Sequence, residues 1–202
     1  FVLGHTSQNP ANGIILVLRQ LEQLGAGVVG IPCNTAHAPM VFDKIRADLS
    51  ARKSPLLILH MLEETARFLR LCHPGVARVG VLSTTGTQRA RIYPQFLEEE
   101  NITVLTPCEE TQQEVVNAAI YDSEYGIKAK SNPVTERARV SLIDAATELV
   151  ESGSEIIILG CTEIPLALPE KTIESIPLVD PTLILARALV HAVAPHKLRP
   201  LS

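Results

Sequence analysis

The sequence predicts an α/β protein with two pseudo-symmetric lobes, parallel sheets and a ligand-binding cleft between the lobes. Short apolar, β-branched segments alternate with longer helical patterns, which is typical of βαβ units and a parallel sheet. Two of these segments end alike, at Cys33 and at Cys161, and each cysteine is followed by Thr within two residues. Ligands of open α/β sheets bind at the carboxyl ends of strands, where both thiols would lie.

The first half of the chain opens with a helix. Residues 7–10, Ser-Gln-Asn-Pro, offer capping and first-turn chemistry for that helix, and Gly25 ends it. Ile45 and Leu49, four residues apart, indicate the buried side of another helix. In order, we expect a helix over 10–24, a strand over 27–32, a helix over 36–52, a strand over 55–59 and a helix over 63–72.

The second half continues the alternation. Its first strand ends in the polar residues 83–87. Asn132 begins a long helix that Gly153 ends, and Asp180 can cap the last helix. In order, we expect a strand over 78–82, a helix over 88–100, a strand over 102–105, helices over 109–121 and 132–153, strands over 155–160 and 176–179, and a final helix.

The repeat of strand, Cys and Thr favours two lobes over a single sheet. We expect residues 1–61 to form the first lobe, completed by 177–202, and residues 62–176 to form the second. Because the first clear element is a helix rather than a strand, we expect the chain to be a fragment, a mature product or part of a longer protein. The N-terminal strands of the first lobe would then be missing.

Composition excludes several classes of function. The chain has 202 residues, 46% of them hydrophobic and 20% charged, which suits a soluble α/β protein. Its net charge is −4, and its short basic patches, such as residues 89–91, are those of a solvated helix surface, so we expect no nucleic-acid partner. No segment approaches the roughly 18 apolar residues of a membrane span, so we expect no membrane association.

Cysteine and histidine usage indicates the compartment and the metal content. Four cysteines at irregular spacing do not resemble a secreted disulfide scaffold, so we expect a cytoplasmic protein. The chain has no Cys-x-x-Cys pair and its six histidines are scattered, so we expect no metal site. His37 and His60 are interpreted as hydrogen-bonded histidines at a helix start and a strand end.

Cysteine is suited to acid–base chemistry because its ordinary pKa is about 8.5. A helix N-terminus after each thiol would stabilise a thiolate. Asn34, Thr35 and Thr162 add hydrogen-bond donors for a carboxylate ligand. A single cysteine at a strand end is more often a buried hydrophobe, but two in parallel settings favour a functional pair. Cys72 and Cys108 have no such counterpart and are interpreted as structural.

Three motifs carry a resemblance to a known family. Residues 32–37 (Pro-Cys-Asn-Thr-Ala-His) and 160–163 (Gly-Cys-Thr-Glu) resemble the paired signatures of the aspartate/glutamate racemase family, and residues 84–87 (Thr-Thr-Gly-Thr) resemble a third. The resemblance covers nearly the whole chain. It implies two pseudo-symmetric α/β lobes and a racemase that needs neither pyridoxal phosphate nor any other cofactor. Glu163 stands where glutamate racemases have His, which favours the aspartate-type branch.

The resemblance also implies roles for particular residues. One of Cys33 and Cys161 would remove the α-proton and the other would protonate the opposite face. Four residues would hold the carboxylates of a small acidic amino acid: Asn34, Thr35, Thr85 and Thr162. Glu163 would orient Cys161 or accept from the substrate ammonium, unless it is a solvated first-turn residue. Lys128 would bind substrate, unless it is a surface lysine. We expect a homodimer.

Family members begin with a glycine-rich strand-turn and an Asp-Arg-Thr segment whose arginine binds a carboxylate, and this sequence matches the family only after that point. Other readings therefore stay open. The chain could be a decarboxylase or a cis–trans isomerase of the same superfamily, or a non-catalytic binder of acidic metabolites. The two thiols could also form a redox disulfide.

Overall fold

The strands form two separate sheets. The structure, a computed structural model, describes residues 1–200. The smaller sheet pairs β1 (Val28–Gly30) in parallel with β2 (Leu57–Leu59). The larger sheet has the strand order β4-β3-β5-β7-β6. Its strands are β3 (Arg78–Ser83), β4 (Thr103–Leu105), β5 (Ile156–Gly160), β6 (Thr172–Ile173) and β7 (Ile176–Val179). Only β6 is antiparallel to its neighbour among the strands of residues 1–200.

Helices connect and cover these strands. The α-helices are α1 (Ala11–Gln23), α2 (Pro39–Ala51), α3 (Met61–Cys72), α4 (Thr85–Arg89), α5 (Ile92–Leu97), α6 (Ala118–Tyr121), α7 (Glu136–Glu151), α8 (Ile164–Ala167) and α9 (Pro181–Val193). A π-helical stretch, Thr111–Asn117, precedes α6, and 3₁₀ turns occupy Asn34–His37, Glu98–Glu100 and Pro195–Lys197.

The larger sheet is buried on both faces because its central strands carry apolar side chains on both sides. Along β5, Ile157 and Leu159 pack into one core cluster with α7. The alternate residues Ile156 and Ile158 belong to a second cluster that includes Leu69 of α3. This is the period of two expected of a strand covered by helices on both faces. A third cluster fills the first lobe between α1, α2 and β1.

The register of β3 and β5 brings two predicted site segments to one edge of the sheet. Ser83, the last residue of β3, lies beside Gly160, the last residue of β5. Thr85 and Cys161 therefore follow their strands at the same carboxyl edge, where ligands of parallel sheets bind.

The strand Ile176–Val179 differs from its expected place. We expected residues 177–202 to complete the first lobe, but β7 pairs with β5 in the larger sheet. The helix that follows does reach the first lobe, since α9 packs against β1 and β2. Asp180 caps α9 as predicted, accepting a hydrogen bond from the Thr182 amide at 2.8 Å.

Three predicted helices begin or break elsewhere than expected. Ala38 is extended before Pro39, as residues preceding proline prefer, so α2 begins at Pro39. The helix expected over 88–100 is interrupted at Arg91, whose φ is +48°. The long helix begins at Glu136 because the Thr135 hydroxyl caps it by accepting the Ala138 amide at 3.2 Å. Within residues 1–200 no helix has both the length and the apolar character to span a membrane.

Candidate active site

Cys33 lies three residues beyond β1 on extended, exposed backbone. Its Sγ atom is 3.5 Å from Thr35 Oγ1, and its amide donates to the Ile31 carbonyl at 2.8 Å. A four-residue 3₁₀ turn follows instead of the expected helix. The strong dipole of a long helix is therefore not available to this thiol. The turn packs against α3, α4 and α5, so the Cys33 loop lies on the second lobe.

Cys161 directly follows β5 and is 6% exposed. Its thiol donates a hydrogen bond to Glu163 Oε2 at 2.9 Å. Burial, and then this hydrogen bond, raise the pKa of Cys161 to about 12. The helix after it, α8, has only four residues. The expectation of a helix-stabilised thiolate is wrong here: Cys161 is a protonated thiol at neutral pH.

Glu163 is the centre of a small polar cluster. Its carboxylate accepts from Cys161, from the Thr162 hydroxyl at 3.0 Å and from the Lys128 ammonium. Burial opposes its charge, but these three bonds together lower its pKa. Burial likewise opposes the charge of Lys128, while Glu163 outweighs it and raises the pKa of Lys128. The structure thus brings Lys128 to Glu163 across 35 residues of chain.

Asn34 is held deep beside the first thiol. It is 4% exposed, and its Oδ1 accepts a 2.6 Å hydrogen bond from the Tyr93 hydroxyl. Its Nδ2 is buried and has no hydrogen-bond partner among residues 1–200. A buried unpaired donor costs free energy, so this amide is suited to an acceptor from a ligand.

Thr85 begins α4, which the Thr84 hydroxyl caps by accepting the Thr87 amide at 3.3 Å. The Thr85 hydroxyl donates to Asn117 Oδ1 at 3.2 Å. Across the cleft, a Cβ on Gly86 would lie 3.7 Å from Thr35 Cγ2, which is ordinary contact. The Cys33 loop and the start of α4 therefore face each other.

A cavity of about 860 Å³ opens between these segments. Five of its polar lining residues come from both halves of the chain: Cys33, Thr35, Thr85, Asn117 and Tyr121. Burial raises the pKa of Tyr121, and the nearby Lys128 ammonium partly offsets this. Cys161 and its polar cluster do not line the cavity themselves. The Lys128 ammonium of that cluster lies 5.6 Å from the centre of the Tyr121 ring, so Tyr121 connects the cavity to the cluster.

Four side chains of this region are absent from the sequence-based site: Arg89, Tyr93, Asn117 and Tyr121. The sequence predicts that Arg89 is solvated helix surface; it is exposed, and it also lines the cavity. Arg89 follows Thr85 by four residues, which places both residues on one side of α4. This spacing is the sequence signal that predicts Arg89 as a site residue. Among the described residues of the cavity wall, Arg89 is the only lysine or arginine, and it forms no ion pair there.

His37 and His60 form a buried pair beside the Cys33 loop. Their ring centroids are 4.3 Å apart. His37 Nε2 donates to the Ile31 carbonyl at 3.0 Å, and His60 Nδ1 caps α3 by accepting the Glu63 amide at 3.3 Å. Burial lowers the pKa of His37 to about 4, and that of His60 to about 3 with a further contribution from His37. Both rings are neutral at pH 7.

Acid is expected to destabilise the protein through this pair. The folded-state pKa values lie below the unfolded value, so the stabilisation is complete above about pH 6.5. It decreases as the pH falls towards 4, by about 3 kcal/mol for His37 alone. Urea unfolding between pH 7 and 4.5 measures this loss. His60→Asn keeps a capping side chain and should reduce the loss, whereas the exposed control His191→Asn should not. Equal pH dependence in both variants would contradict the assignment.

Comparisons with known proteins agree with this architecture. The chain is 29% identical over 171 residues to the broad specificity amino-acid racemase RacX of Bacillus subtilis (strain 168), covering 85% of this chain and 66% of that protein. It is 38% identical over 103 residues to an uncharacterized protein in the pnlA 3′ region of Pectobacterium carotovorum subsp. carotovorum, covering 49% of this chain and 61% of that protein. The chain therefore spans less than two thirds of the length of either relative.

Solved structures confirm the predicted two-lobe α/β fold. A putative Asp/Glu racemase from Yersinia pestis is 30% identical with a TM-score of 0.72, covering 90% of this chain and 73% of that one. The Picrophilus torridus aspartate racemase is 24% identical with a TM-score of 0.73, and the match covers 94% of this chain and 71% of that one. The family described as Asp/Glu/Hydantoin racemase matches residues 4–189. Because that match extends over most of this chain, the chain belongs to the Asp/Glu/hydantoin racemase family.

Proposed function

We propose that the protein is an amino-acid racemase acting on a small acidic amino acid, with aspartate as the first candidate. Cys33 and Cys161 would exchange the proton at the α-carbon. The observation that carries this proposal is the pair of thiols in opposite environments, one exposed at the cavity and one buried and protonated. The cavity residue Tyr121 and the Lys128–Glu163 pair connect them. A two-base mechanism requires one thiol on each face of the α-carbon.

Proton transfer in one direction starts from the protonated Cys161 thiol. The Cys33 thiolate takes the α-proton, and the Cys161 thiol delivers its proton to the opposite face of the carbon. The charge left on Cys161 is offset by the Lys128 ammonium, which the Glu163 carboxylate holds nearby. The reverse direction starts from the state that this step leaves, with Cys33 as the thiol and Cys161 as the thiolate that takes the α-proton. The Lys128 ammonium, paired with Glu163, would stabilise that thiolate.

The donors around the cavity support a carboxylate substrate. The unpaired Nδ2 of Asn34, buried next to Cys33 and outside the cavity lining, would hold the α-carboxylate together with the hydroxyls of Thr35 and Thr85. The hydroxyls of Thr85 and Thr162 would leave Asn117 and Glu163 to donate to the substrate. Negative charge develops on that carboxylate when the neighbouring C–H is deprotonated, and fixed donors stabilise it. This stabilisation needs no pyridoxal phosphate. That the protein is cytoplasmic and forms a homodimer stays a prediction.

An acidic side chain would be recognised by a cation. Lys128 is already paired with Glu163, whereas Arg89 lines the cavity without a salt-bridge partner in the described chain. We infer that Arg89 binds the second carboxylate of the substrate, one helical turn from Thr85.

Arg89→Gln is therefore expected to raise KM for aspartate roughly tenfold to a hundredfold, since a charged hydrogen bond is lost. The kcat/KM ratio of aspartate to alanine should fall by the same factor. Arg67→Gln, at an exposed arginine of α3, is the matched control and should leave both values unchanged. An unaltered KM in Arg89→Gln would assign the second carboxylate to another residue.

Chiral chromatography of the full-length protein tests the proposed function. Incubation with L-aspartate, L-glutamate and L-alanine should produce a D-enantiomer, fastest with an acidic substrate. Decarboxylation of a malonate, or cis–trans isomerisation of maleate, without inversion of any amino acid would assign a different reaction. Stabilisation by aspartate in a thermal shift without turnover would assign a binder.

A further inference from the structure

We infer that Tyr93 is a positioning residue that orients the Asn34 carboxamide, so that its N–H₂ group is presented to the substrate carboxylate. The inference rests on the proposed function, because Asn34 contributes there as a carboxylate ligand. Tyr93 itself need not touch the substrate. Its position in the fold connects the loops that carry the two cysteines.

The first connection is the hydrogen bond between Tyr93 and Asn34. Tyr93 belongs to α5 and is 2% exposed. Its hydroxyl donates to Asn34 Oδ1 at 2.6 Å, across 59 residues of chain. An amide has one oxygen and one nitrogen on opposite sides, so fixing Oδ1 on Tyr93 turns Nδ2 away from it. That Nδ2 is the buried atom without a partner. Without the phenol, rotation of the amide by half a turn would put an acceptor where the ligand needs a donor.

The second connection is the packing of the same ring against Gly160, the residue before Cys161. A Cβ on Gly160 would lie 3.0 Å from Tyr93 Cε2 and 3.0 Å from the Leu82 carbonyl oxygen. Only glycine allows so close an approach without movement. Burial raises the pKa of Tyr93 well above its usual value, and the charges of Asp180 and Cys161 raise it further. The phenol therefore keeps the proton that it donates to Asn34.

A double-mutant cycle separates positioning from packing. Tyr93→Phe keeps the ring and removes only the hydroxyl. We expect it to raise KM for aspartate and the Kd of malonate, a dicarboxylate probe, about tenfold, with a smaller change in kcat. In the Asn34→Ala background Tyr93→Phe should have no further effect on either constant, because no amide remains to be oriented. Tyr125→Phe is the control: the Tyr125 ring lies over Arg137, and its hydroxyl forms no side-chain bond within residues 1–200.

Titration calorimetry with malonate gives a readout that does not depend on turnover. Suppose that Tyr93→Phe weakens malonate binding in wild type but not in the Asn34→Ala background, and that no acidic amino acid is racemised. The proposed function then fails and the role of Tyr93 stands. If wild type racemises aspartate but Tyr93→Phe changes neither constant, the role of Tyr93 is overturned and the function stands. Additive effects of the two substitutions would also overturn it, because they indicate packing alone. Wild-type protein that binds no malonate and converts no acidic amino acid would overturn both.

A second variant covers the case in which Tyr93→Phe does not fold. Asn34→Asp keeps an oxygen for the Tyr93 hydroxyl and removes the N–H₂ donor. It should weaken malonate binding at least as much as Asn34→Ala does. Its free energy of unfolding should stay nearer to that of wild type than the value for Asn34→Ala. Malonate affinity equal to wild type in Asn34→Asp would show that the amide donor is not used.

Discussion

Alanine at Cys33 or at Cys161 is expected to lower the racemisation rate about a thousandfold, within the range for loss of a general acid or base. Each thiol serves one face of the α-carbon, so neither can replace the other. Serine is a closer match in size, but its hydroxyl is a far weaker acid than a thiol, so the serine variants should be equally impaired. Rates from chiral chromatography and circular dichroism of each variant provide the measurement.

Cys72→Ala is the matched control for this prediction. Cys72 is an exposed free thiol at the end of α3, and it does not line the cavity. Its removal should leave racemisation at the wild-type rate. Wild-type activity in either Cys33→Ala or Cys161→Ala would refute the proposed mechanism, provided that the variant retains its native circular dichroism.

Glu163→Gln is expected to lower kcat/KM about a hundredfold, because the Lys128 ammonium loses the carboxylate that holds it near Cys161. It should also change the titration of Cys161. The Glu163 carboxylate is one of the causes that raise the pKa of this thiol, so its removal should lower that pKa while burial keeps it elevated. Iodoacetamide labelling of Cys161 against pH, followed by mass spectrometry, measures the change.

Glu170→Gln provides the control for the carboxylate. Glu170 pairs with Arg139, and its loss should affect neither kcat/KM nor the labelling of Cys161. A Glu163→Gln variant with the same labelling profile as wild type would contradict the role assigned to this carboxylate.

The sequence predicts the strands that precede both cysteines, because a strand depends on local pattern. The apolar runs before Cys33 and Cys161 are buried strands or lead directly from them, and Asp180 caps the helix that follows it. The sheet to which β7 belongs is not predictable from its four residues, since an apolar strand pairs equally well in either lobe. Its partner β5 lies 20 residues upstream, and only the packed structure selects it.

The electrostatics of the site depends on long-range contacts that local sequence patterns do not predict. The high pKa of Cys161 follows from burial and from Glu163, whereas local sequence indicates a stabilising helix. Lys128 reaches Glu163, and Tyr93 reaches Asn34, across long stretches of chain. Arg89 is the exception, because its spacing of four from Thr85 is visible in the sequence.

Isotope exchange in D₂O tests the central claim, that two thiols act on opposite faces of one carbon, most directly. At low conversion of L-aspartate by the full-length protein, a thiol equilibrated with solvent should deliver deuterium to the α-carbon of the D-aspartate formed. The proton removed from the substrate stays on the other thiol, so recovered L-aspartate should remain largely unlabelled. D-aspartate that retains the original proton, or label that enters L-aspartate as fast as D-aspartate forms, would indicate a single base and contradict the two-cysteine mechanism.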